Sequence, residues 1–303
     1  MNLSWLLGYT LAALVIATAA GQVLRRTARS ASTRATVANM NVRIAAWWVL
    51  YGVMTLALAL GEGAVVALFA LFSSLALREF MALTPWRGFW AFFVFTPFQY
   101  WLAWSRSDGM FSILIPVCAF LYIPAYYAIA GDTERFLERT AKVYWGLMVC
   151  TYCLSHAPAL LMLDIPGYRG RNTTLLFYFL LVVQSSDVMQ YCWGKLLGRR
   201  PVAPRISPNK TWEGLIGGVI TATAIGTALY RATPFQPWQA AAICASITLM
   251  GFVGGLTMSA VKRDCGVKDF GVIVTGHGGV LDRVDSLCFS APVFFHLTRY
   301  FYT

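Results

Sequence analysis

The chain has few charged residues, and acidic ones are especially scarce. Charged side chains make up 12% of its 303 residues, and only 13 residues are aspartate or glutamate. A water-soluble chain usually carries about 25% charged residues, so this composition excludes an ordinary soluble enzyme. The sequence also lacks internal repeats and low-complexity segments, which excludes a repeat array and a disordered chain.

The chain is rich in long apolar runs. The chain is 58% hydrophobic, and its mean hydropathy is +0.61. Repeated runs of about 17 to 25 apolar residues are long enough to cross a bilayer core as helices. We therefore expect an all-α polytopic membrane protein with about ten transmembrane helices and with its charged loops on the cytoplasmic side. The predicted spans are 3–24, 44–60, 63–78, 89–104, 111–131, 143–163, 174–197, 215–232, 240–260 and 287–302.

The first three spans carry expectations of their own. The first has no basic residue before its apolar run and no clear cleavage site after it, so we expect a retained helix and not a cleaved leader. Only Gly61, Glu62 and Gly63 separate the second and third spans, which favours a tight helical hairpin. The third span is short enough to be partly re-entrant.

Basic residues concentrate in alternate loops. The loop after the first span, and the loops at about 78–88, 132–142, 198–214 and 261–286, hold most of the lysines and arginines. Loops facing the cytoplasm carry such an excess, so both termini are expected outside and the charged loops inside a bacterial inner membrane. The opposite side keeps only Arg106, Arg169, Arg171, Arg231 and Arg299.

The net charge of +11 follows from this topology and from attraction to anionic headgroups of the membrane lipids. Nucleic acid is not expected as a partner, because no soluble basic domain exists to bind it. Most of the seven cysteines fall in apolar spans and are interpreted as small buried hydrophobes. That interpretation includes the Cys150 and Cys153 pair, while His156 and His296 are expected to be structural.

Two charged segments carry the candidate chemistry, and the first is 187–214. Asp187 lies deep in an apolar span, where a carboxylate marks a functional site unless it is a polar anchor of the bundle. The segment 201–211 holds three prolines and cannot form regular helix. It presents donors that suit phosphate oxygens, although a merely solvated basic loop is the alternative. These donors are Arg205, Ser207, Lys210 and Thr211.

The second segment, 259–285, contains four of the thirteen acidic residues. Asp282 and Asp285 are three apart, so they share a face if a helix begins at Leu281. With Asp269 they make a hard oxygen set of the kind that Mg²⁺ prefers. Glycines around His277 allow close approach of an anion to the backbone. The cations that could neutralise a triphosphate are Lys262, Arg263, Lys268 and Arg283.

The segment 259–285 closely resembles the signature of the CDP-diacylglycerol synthase, or phosphatidate cytidylyltransferase, family. The resemblance is clear over about 170–303 and weaker before that. We divide the chain into N-terminal transmembrane helices at 1–80, where the resemblance is weak, and a cytidylyltransferase membrane domain at 81–303. The matching signature positions are Ser259, Val261, Lys262, Arg263, Lys268, Asp269, Gly271, His277, Gly278, Gly279, Val280, Asp282, Arg283, Val284 and Asp285. The second matching block includes Asp187, Tyr191, Gly194, Gly198, Pro204, Ser207, Pro208, Lys210, Thr211, Glu213 and Gly214.

The resemblance implies that CTP and phosphatidic acid are converted to CDP-diacylglycerol and pyrophosphate with Mg²⁺. The catalytic residues it implies are Lys268, Asp269, Asp282, Arg283 and Asp285. The implied substrate-binding residues are Arg205, Ser207, Lys210, Ser259, Lys262, Arg263, His277, Gly278 and Gly279. The implied metal ligands are Asp282 and Asp285, followed by Asp269 and Asp187. For His277, orientation of a phosphate and stabilisation of a turn are equally compatible with the sequence.

The sequence departs from the family pattern at uncharged positions, which indicates a divergent subgroup. These positions are Gln190, Asn209, Val274 and Thr275. An enzyme that uses CTP on another lipid phosphate, such as an ether or isoprenoid lipid, or on a lipid alcohol, therefore remains an alternative. More distant alternatives are an inactive paralogue and a transporter with an intramembrane carboxylate at Asp187. A homodimer is also left open.

Overall fold

The structure is a computed structural model that describes residues 1–27, 30–83, 93–271 and 278–303. Its contacts divide the chain into two compact units, Met1–Val65 and Val66–Thr303. All of the described candidate site residues belong to the second unit.

Counting each continuous run once, the described residues form ten helices, one short 3₁₀ turn at Tyr230–Ala232 and one two-stranded hairpin. In chain order, the helices are α1 (Leu3–Thr27), α2 (Ala31–Leu60), α3 (Glu62–Ala82), α4 (Phe95–Trp104), α5 (Asp108–Ile129), α6 (Phe136–Met162), α7 (Asn172–Leu197), α8 (Trp212–Ala228), α9 (Pro237–Asp264) and α10 (Leu281–Tyr302). Strands β1 (Pro201–Ala203) and β2 (Ser207–Thr211) lie between α7 and α8. Two helices contain a π-helical turn, at Leu114–Ala119 in α5 and at Met148–Cys153 in α6.

The helices bear out the prediction of an all-α polytopic membrane protein. Seven of those described are long and apolar enough to cross a bilayer, namely α1, residues 40–60 of α2, α3, α5, α6, α7 and α9. Helices α4, α8 and α10 coincide with further predicted spans but are not among the seven, so the count of ten stays a prediction. The start of the fourth span, 89–92, lies outside the described residues. Helix α3, which contains the third predicted span, runs unbroken for 21 residues.

In the first unit, polar side chains join α1 to α2. Trp48 Nε1 donates to Thr18 Oγ1 at 3.0 Å, and the Tyr51 hydroxyl donates to the Leu7 carbonyl oxygen at 3.1 Å. Helix α2 ends at Leu60 and α3 begins at Glu62. The single residue between them is Gly61, whose φ of 105° is a conformation that glycine adopts without strain.

In the second unit, α8 packs against α7 and α9, and α9 packs against α10. Small residues make these contacts close: a Cβ on Gly218 would lie 2.3 Å from Gln190 Cγ, and one on Gly254 would lie 2.9 Å from the Asp285 carbonyl oxygen. Glycine suits such helix contacts in a membrane, because lipid provides no hydrophobic drive for association and backbones must approach closely. The second turn of α10 therefore packs closely against the C-terminal half of α9.

In the second unit, connections that were predicted on the same side of the membrane contact one another. At one end, Arg299 Nη2 lies 3.3 Å from Asp108 Oδ2, which joins the end of α10 to the start of α5. At the other end, Arg263 Nε donates to the Ile206 carbonyl oxygen at 3.2 Å, which joins the end of α9 to the β-hairpin. Both predicted motif segments therefore lie at one end of the unit, as alternating helices require.

Candidate active site

The three prolines of 201–211 are accommodated in an antiparallel hairpin, in which Pro201 pairs with Thr211 and Ala203 pairs with Ser207. The hairpin leads directly into α8, because the Thr211 hydroxyl accepts the Gly214 N–H at 3.2 Å and caps the helix. Glu213 Oε2 accepts the backbone N–H groups of Arg199 at 3.1 Å and of Arg200 at 3.2 Å. These bonds lower the pKa of Glu213. The capping contacts fix where β2 presents its side chains.

Lys210, on β2, reaches from the hairpin to α9. Its Nζ donates to the Phe252 carbonyl oxygen at 3.4 Å and lies 4.9 Å from the centre of the Phe252 ring. Gly255 leaves room for the ammonium group, because a Cβ there would lie 2.5 Å from Nζ. Burial lowers the pKa of Lys210, whereas the neighbouring carboxylates of Asp285 and Asp187 act in the opposite direction. Lys210 therefore lies beside two acids.

Asp187 and Asp285 converge on the hydroxyl group of Ser286. The Ser286 Oγ lies 3.0 Å from Asp187 Oδ1 and 3.4 Å from Asp285 Oδ1. Asp187 comes from α7 and Asp285 from the second turn of α10, so the two acids reach the same point from different helices. Sequence reasoning identified both carboxylates but missed Ser286, a buried serine whose position beside Asp285 was the available signal.

Both carboxylate oxygens of Asp282 accept hydrogen bonds from other groups of the protein. Its Oδ1 accepts Lys262 Nζ at 2.8 Å, and its Oδ2 accepts the backbone N–H groups of Phe270 and Gly279, each at 2.9 Å. The two side chains of the ion pair are nearly buried, with 13% of Lys262 and 9% of Asp282 exposed. Gly278 has a φ of 79° and borders the carboxylate, since a Cβ there would lie 2.6 Å from Oδ2. Asp282 thus joins the start of α10 to Lys262 at the end of α9 and to Phe270.

Glu79 is a second buried carboxylate at this connection, and sequence reasoning missed it. It lies near the end of α3, is 6% exposed, and accepts the backbone N–H groups of Val280 and Leu281, each at 2.9 Å. It therefore caps α10, the helix that carries Asp282 and Asp285. Glu79 follows Arg78 just past the predicted span 63–78, so its position in the sequence carried no signal of burial.

Two predicted substrate-binding residues instead contact the protein backbone. Arg263 Nε donates to the Ile206 carbonyl oxygen at 3.2 Å, and its Nη1 donates to the Val267 carbonyl oxygen at 3.1 Å. The Ser259 hydroxyl donates to the Gly255 carbonyl oxygen at 2.7 Å within α9. Both Lys262 and Arg263 belong to the last turn of α9 and not to a loop. In this conformation Arg263 connects the two motif segments.

The remaining predicted residues differ in their exposure to solvent. Arg205, Lys268 and Asp269 are exposed, while Ser207 and Arg283 are half-buried. Asp269 precedes Phe270, whose N–H binds Asp282, but its own side chain faces solvent. His277, Val274 and Thr275 lie outside the described residues. The structure thus brings Asp187, Lys210 and Asp285 together, and it groups Lys262 with Asp282 beside them.

Among the described residues, no group of three or more His, Cys, Asp or Glu side chains is arranged to hold a metal ion. The pair of Asp187 and Asp285 nevertheless fits Mg²⁺, because this ion is usually held by one or two carboxylates together with waters and substrate phosphates. The Ser286 hydroxyl adds a third oxygen between them. Asp282 fits less well in this conformation, since a metal would compete with Lys262 and two N–H donors.

Comparison with known proteins matches this chain to the sequence model of the Cytidylyltransferase family over residues 41–301. An uncharacterized protein, YnbB, from Escherichia coli strain K12 is 39% identical over 86% of this chain and 88% of its own length. A phosphatidate cytidylyltransferase from Bacillus subtilis strain 168 is 33% identical over 70% of this chain and 76% of its own. One from Mycobacterium leprae strain TN is 42% identical over 65% and 66%, respectively.

Proposed function

This chain belongs to the cytidylyltransferase family, and from that premise we propose that it transfers CMP from CTP to phosphatidic acid. The products are CDP-diacylglycerol and pyrophosphate, and the reaction would supply activated lipid for phospholipid synthesis. The family match covers residues 41–301, a range that includes both charged segments. Two of the relatives described above are named for phosphatidate, which supports this choice of acceptor.

The observation that carries the proposal is the meeting of Asp187, Lys210 and Asp285 at one end of the helices. Two carboxylates converge on the Ser286 hydroxyl, and the Lys210 ammonium group lies beside them in the space left by Gly255. Oppositely charged groups positioned in a partly buried site suit the transfer of a phosphoryl group. Such transfer depends on positioning and on electrostatic stabilisation more than on covalent catalysis.

The reaction needs no nucleophile from the protein. A non-bridging oxygen of the phosphatidate phosphate attacks the α-phosphorus of CTP, and a new P–O–P linkage forms. The bond between the α-phosphorus and the oxygen leading to the β-phosphorus breaks, and pyrophosphate leaves with the electron pair. Negative charge therefore grows on the leaving group. Lys210, the exposed Lys268 and Arg205 are the cations that we assign to the phosphates.

We assign Asp187 and Asp285 to Mg²⁺, with Asp269 as a ligand available from the exposed loop. A bound Mg²⁺ would supply Lewis-acid polarisation of phosphate oxygens and neutralise part of the triphosphate charge. Asp282 keeps the role of holding Lys262 and the loop in place, although the sequence also predicted it as a ligand. Ser286 keeps the two assigned carboxylates oriented toward one point.

We propose that this end of the protein faces the cytoplasm of a bacterial inner membrane. The basic residues of the alternate loops support that orientation. The hairpin and the α9–α10 connection, which are joined by Arg263, would then both meet cytosolic CTP. Phosphatidic acid in the adjacent leaflet would present its phosphate at the same level.

A second candidate is transfer of CMP to a different lipid phosphate. One observation favours it: YnbB shares 39% identity over 86% of this chain, and its name specifies no substrate. The family pattern is also altered at uncharged positions such as Gln190 and Asn209. An ether-lipid or isoprenoid phosphate would use the same charged groups, so only the acceptor distinguishes the two candidates.

The deciding experiment measures CMP transfer by the purified protein in detergent micelles. Labelled CTP is incubated with MgCl₂ and with phosphatidic acid, an ether-lipid phosphate or an isoprenoid phosphate, and the labelled lipid is separated from CTP. We expect a labelled CDP-lipid with phosphatidic acid, and none with the Asp285→Asn variant. Product with only another acceptor would replace phosphatidic acid by that acceptor. Folded native protein that transfers CMP to none of them would contradict the proposal.

A further inference from the structure

The Glu79 carboxylate lies at the N-terminus of α10, although it belongs to α3. Val280 N donates to Oε1 and Leu281 N donates to Oε2, each at 2.9 Å, so both oxygens are used. The first N–H groups of a helix have no partner inside the helix. The positive end of its dipole also attracts negative charge. A buried carboxylate therefore holds this helix end strongly and in one orientation.

Two glycines provide the space for this carboxylate. A Cβ on Gly271 would lie 2.7 Å from Oε1, and one on Gly279 would lie 2.2 Å from Oε2. Real Cβ atoms do not approach so closely, so larger residues at either position would displace the Glu79 carboxylate. Gly271 and Gly279 thus both border the side chain of Glu79, which comes from a distant part of the sequence.

Residues on either side of these contacts continue into the proposed site. Gly279 donates its N–H to Asp282, whose other oxygen accepts Lys262. Asp285 follows one turn later on α10 and meets Ser286 and Asp187. Any rotation or fraying of the first turn of α10 would therefore move Asp282 and Asp285 together.

We propose that Glu79 is a positioning residue for the metal-binding carboxylates: it pins the first turn of α10 and so fixes Asp285 relative to Asp187. The inference rests on the proposed function for the identity of the reaction. Glu79 acts through the helix end, because its two oxygens are already used by the backbone N–H groups of Val280 and Leu281. Partners that orient a metal ligand typically contribute about 10- to 100-fold in metal affinity or activity.

The test uses the full-length protein in detergent and compares Glu79→Gln with Glu62→Gln. Both residues lie on α3, and both substitutions remove one negative charge, but Glu62 is exposed at the other end of the helix. The first readout is hydrogen–deuterium exchange over residues 278–290. The second is the affinity for Mn²⁺, used as a probe for Mg²⁺ and followed by electron paramagnetic resonance. Neither readout requires turnover.

We expect Glu79→Gln to accelerate exchange over 278–290 and to weaken Mn²⁺ binding by about 10-fold or more, while Glu62→Gln matches the native protein. Unchanged exchange over 278–290 would overturn the inference. Faster exchange with native Mn²⁺ affinity would also overturn it, because Glu79 would then stabilise the helix without positioning the acids.

A second variant tests the same inference in case Glu79→Gln does not fold. Gly271→Ala leaves every charge in place but puts a methyl group against Oε1, so it should change both readouts in the same direction. Native exchange and native Mn²⁺ affinity in Gly271→Ala would overturn the inference. Failure of the native protein to transfer CMP would instead refute the proposed function, since exchange and Mn²⁺ affinity are measured without CTP or lipid.

Discussion

Lys262 and Asp282 form a nearly buried ion pair that joins the last turn of α9 to the first turn of α10. Lys262 Nζ lies 2.8 Å from Asp282 Oδ1, with 13% and 9% of the two side chains exposed. The other Asp282 oxygen accepts two backbone N–H groups from the intervening connection. The pair thus stabilises the loop beside the proposed catalytic carboxylates.

The first prediction concerns Lys262→Met, which removes one partner of this pair. Loss of one member of a buried ion pair leaves an uncompensated charge and typically destabilises a protein by about 3 to 5 kcal/mol. Because Asp282 keeps two N–H donors, we expect the lower end of that range and a clear fall in the apparent Tm in detergent. Lys268→Met is the matched control, since Lys268 is exposed in the same connection. An equal change in Tm for both variants would contradict the interpretation.

The second prediction separates the two acids of α10. We expect Asp285→Asn to lower Mg²⁺-dependent transfer by about 10²-fold or more, the loss seen when one positioned electrostatic group is removed, with little change in Tm. Asp282→Asn should lower both transfer and Tm, because Asp282 holds Lys262 and two N–H groups. Transfer rates and Tm are measured on the same preparations, and EDTA should abolish transfer until Mg²⁺ is restored.

Asp264→Asn is the control for that comparison. Asp264 is exposed at the end of α9, and its substitution should leave transfer and Tm unchanged. If Asp282→Asn and Asp285→Asn had the same effect on Tm, the distinction between a metal ligand and a loop-holding residue would be wrong.

Much of the helical architecture follows from local composition. Long apolar runs must satisfy their backbone groups internally in lipid, and a helix does so within one segment. The irregular segment 201–211 was predictable because proline cannot continue a helix. Asp187 was identifiable because a carboxylate in an apolar span requires a reason to be there. Each of these inferences depends on neighbours in the sequence.

The contacts of the site were less predictable because they join distant segments. Glu79 and Val280 are 201 positions apart, and no local pattern indicates their contact. Asp282 and Asp285 share a helix, as their spacing predicted, but Asp282 pairs with Lys262 whereas Asp285 meets Ser286. Which carboxylate remains available to a metal depends on these tertiary contacts.

The third prediction concerns the connection made by Arg263. Its guanidinium group donates to the carbonyl oxygens of Ile206 and Val267. Arg263→Ala should therefore loosen the hairpin, and hydrogen–deuterium exchange over 201–211 should accelerate by about three- to tenfold, as expected for one or two exposed hydrogen bonds. Transfer should fall mainly through a higher KM for CTP, because Lys210 lies on the same hairpin.

Arg199→Ala is the control for Arg263→Ala. Arg199 is exposed and contributes its backbone N–H, which alanine retains, to Glu213. If Arg263→Ala lowered kcat by more than about 10²-fold without changing exchange over 201–211, Arg263 would act directly on a substrate phosphate.

The fourth prediction tests the space that Gly255 leaves for Lys210. In Gly255→Ala the new methyl group would lie 2.5 Å from Lys210 Nζ and 3.5 Å from Asp285 Oδ2, so the flexible ammonium group must move. Alanine is favoured over glycine inside a helix by about 0.8 to 1.0 kcal/mol, and the Tm should not fall. We nevertheless expect transfer to drop by about 10-fold or more, because Lys210 no longer lies beside the carboxylates. Gly109→Ala, which places its methyl group in open space, is the control, and native transfer by Gly255→Ala would show that Lys210 need not occupy this position.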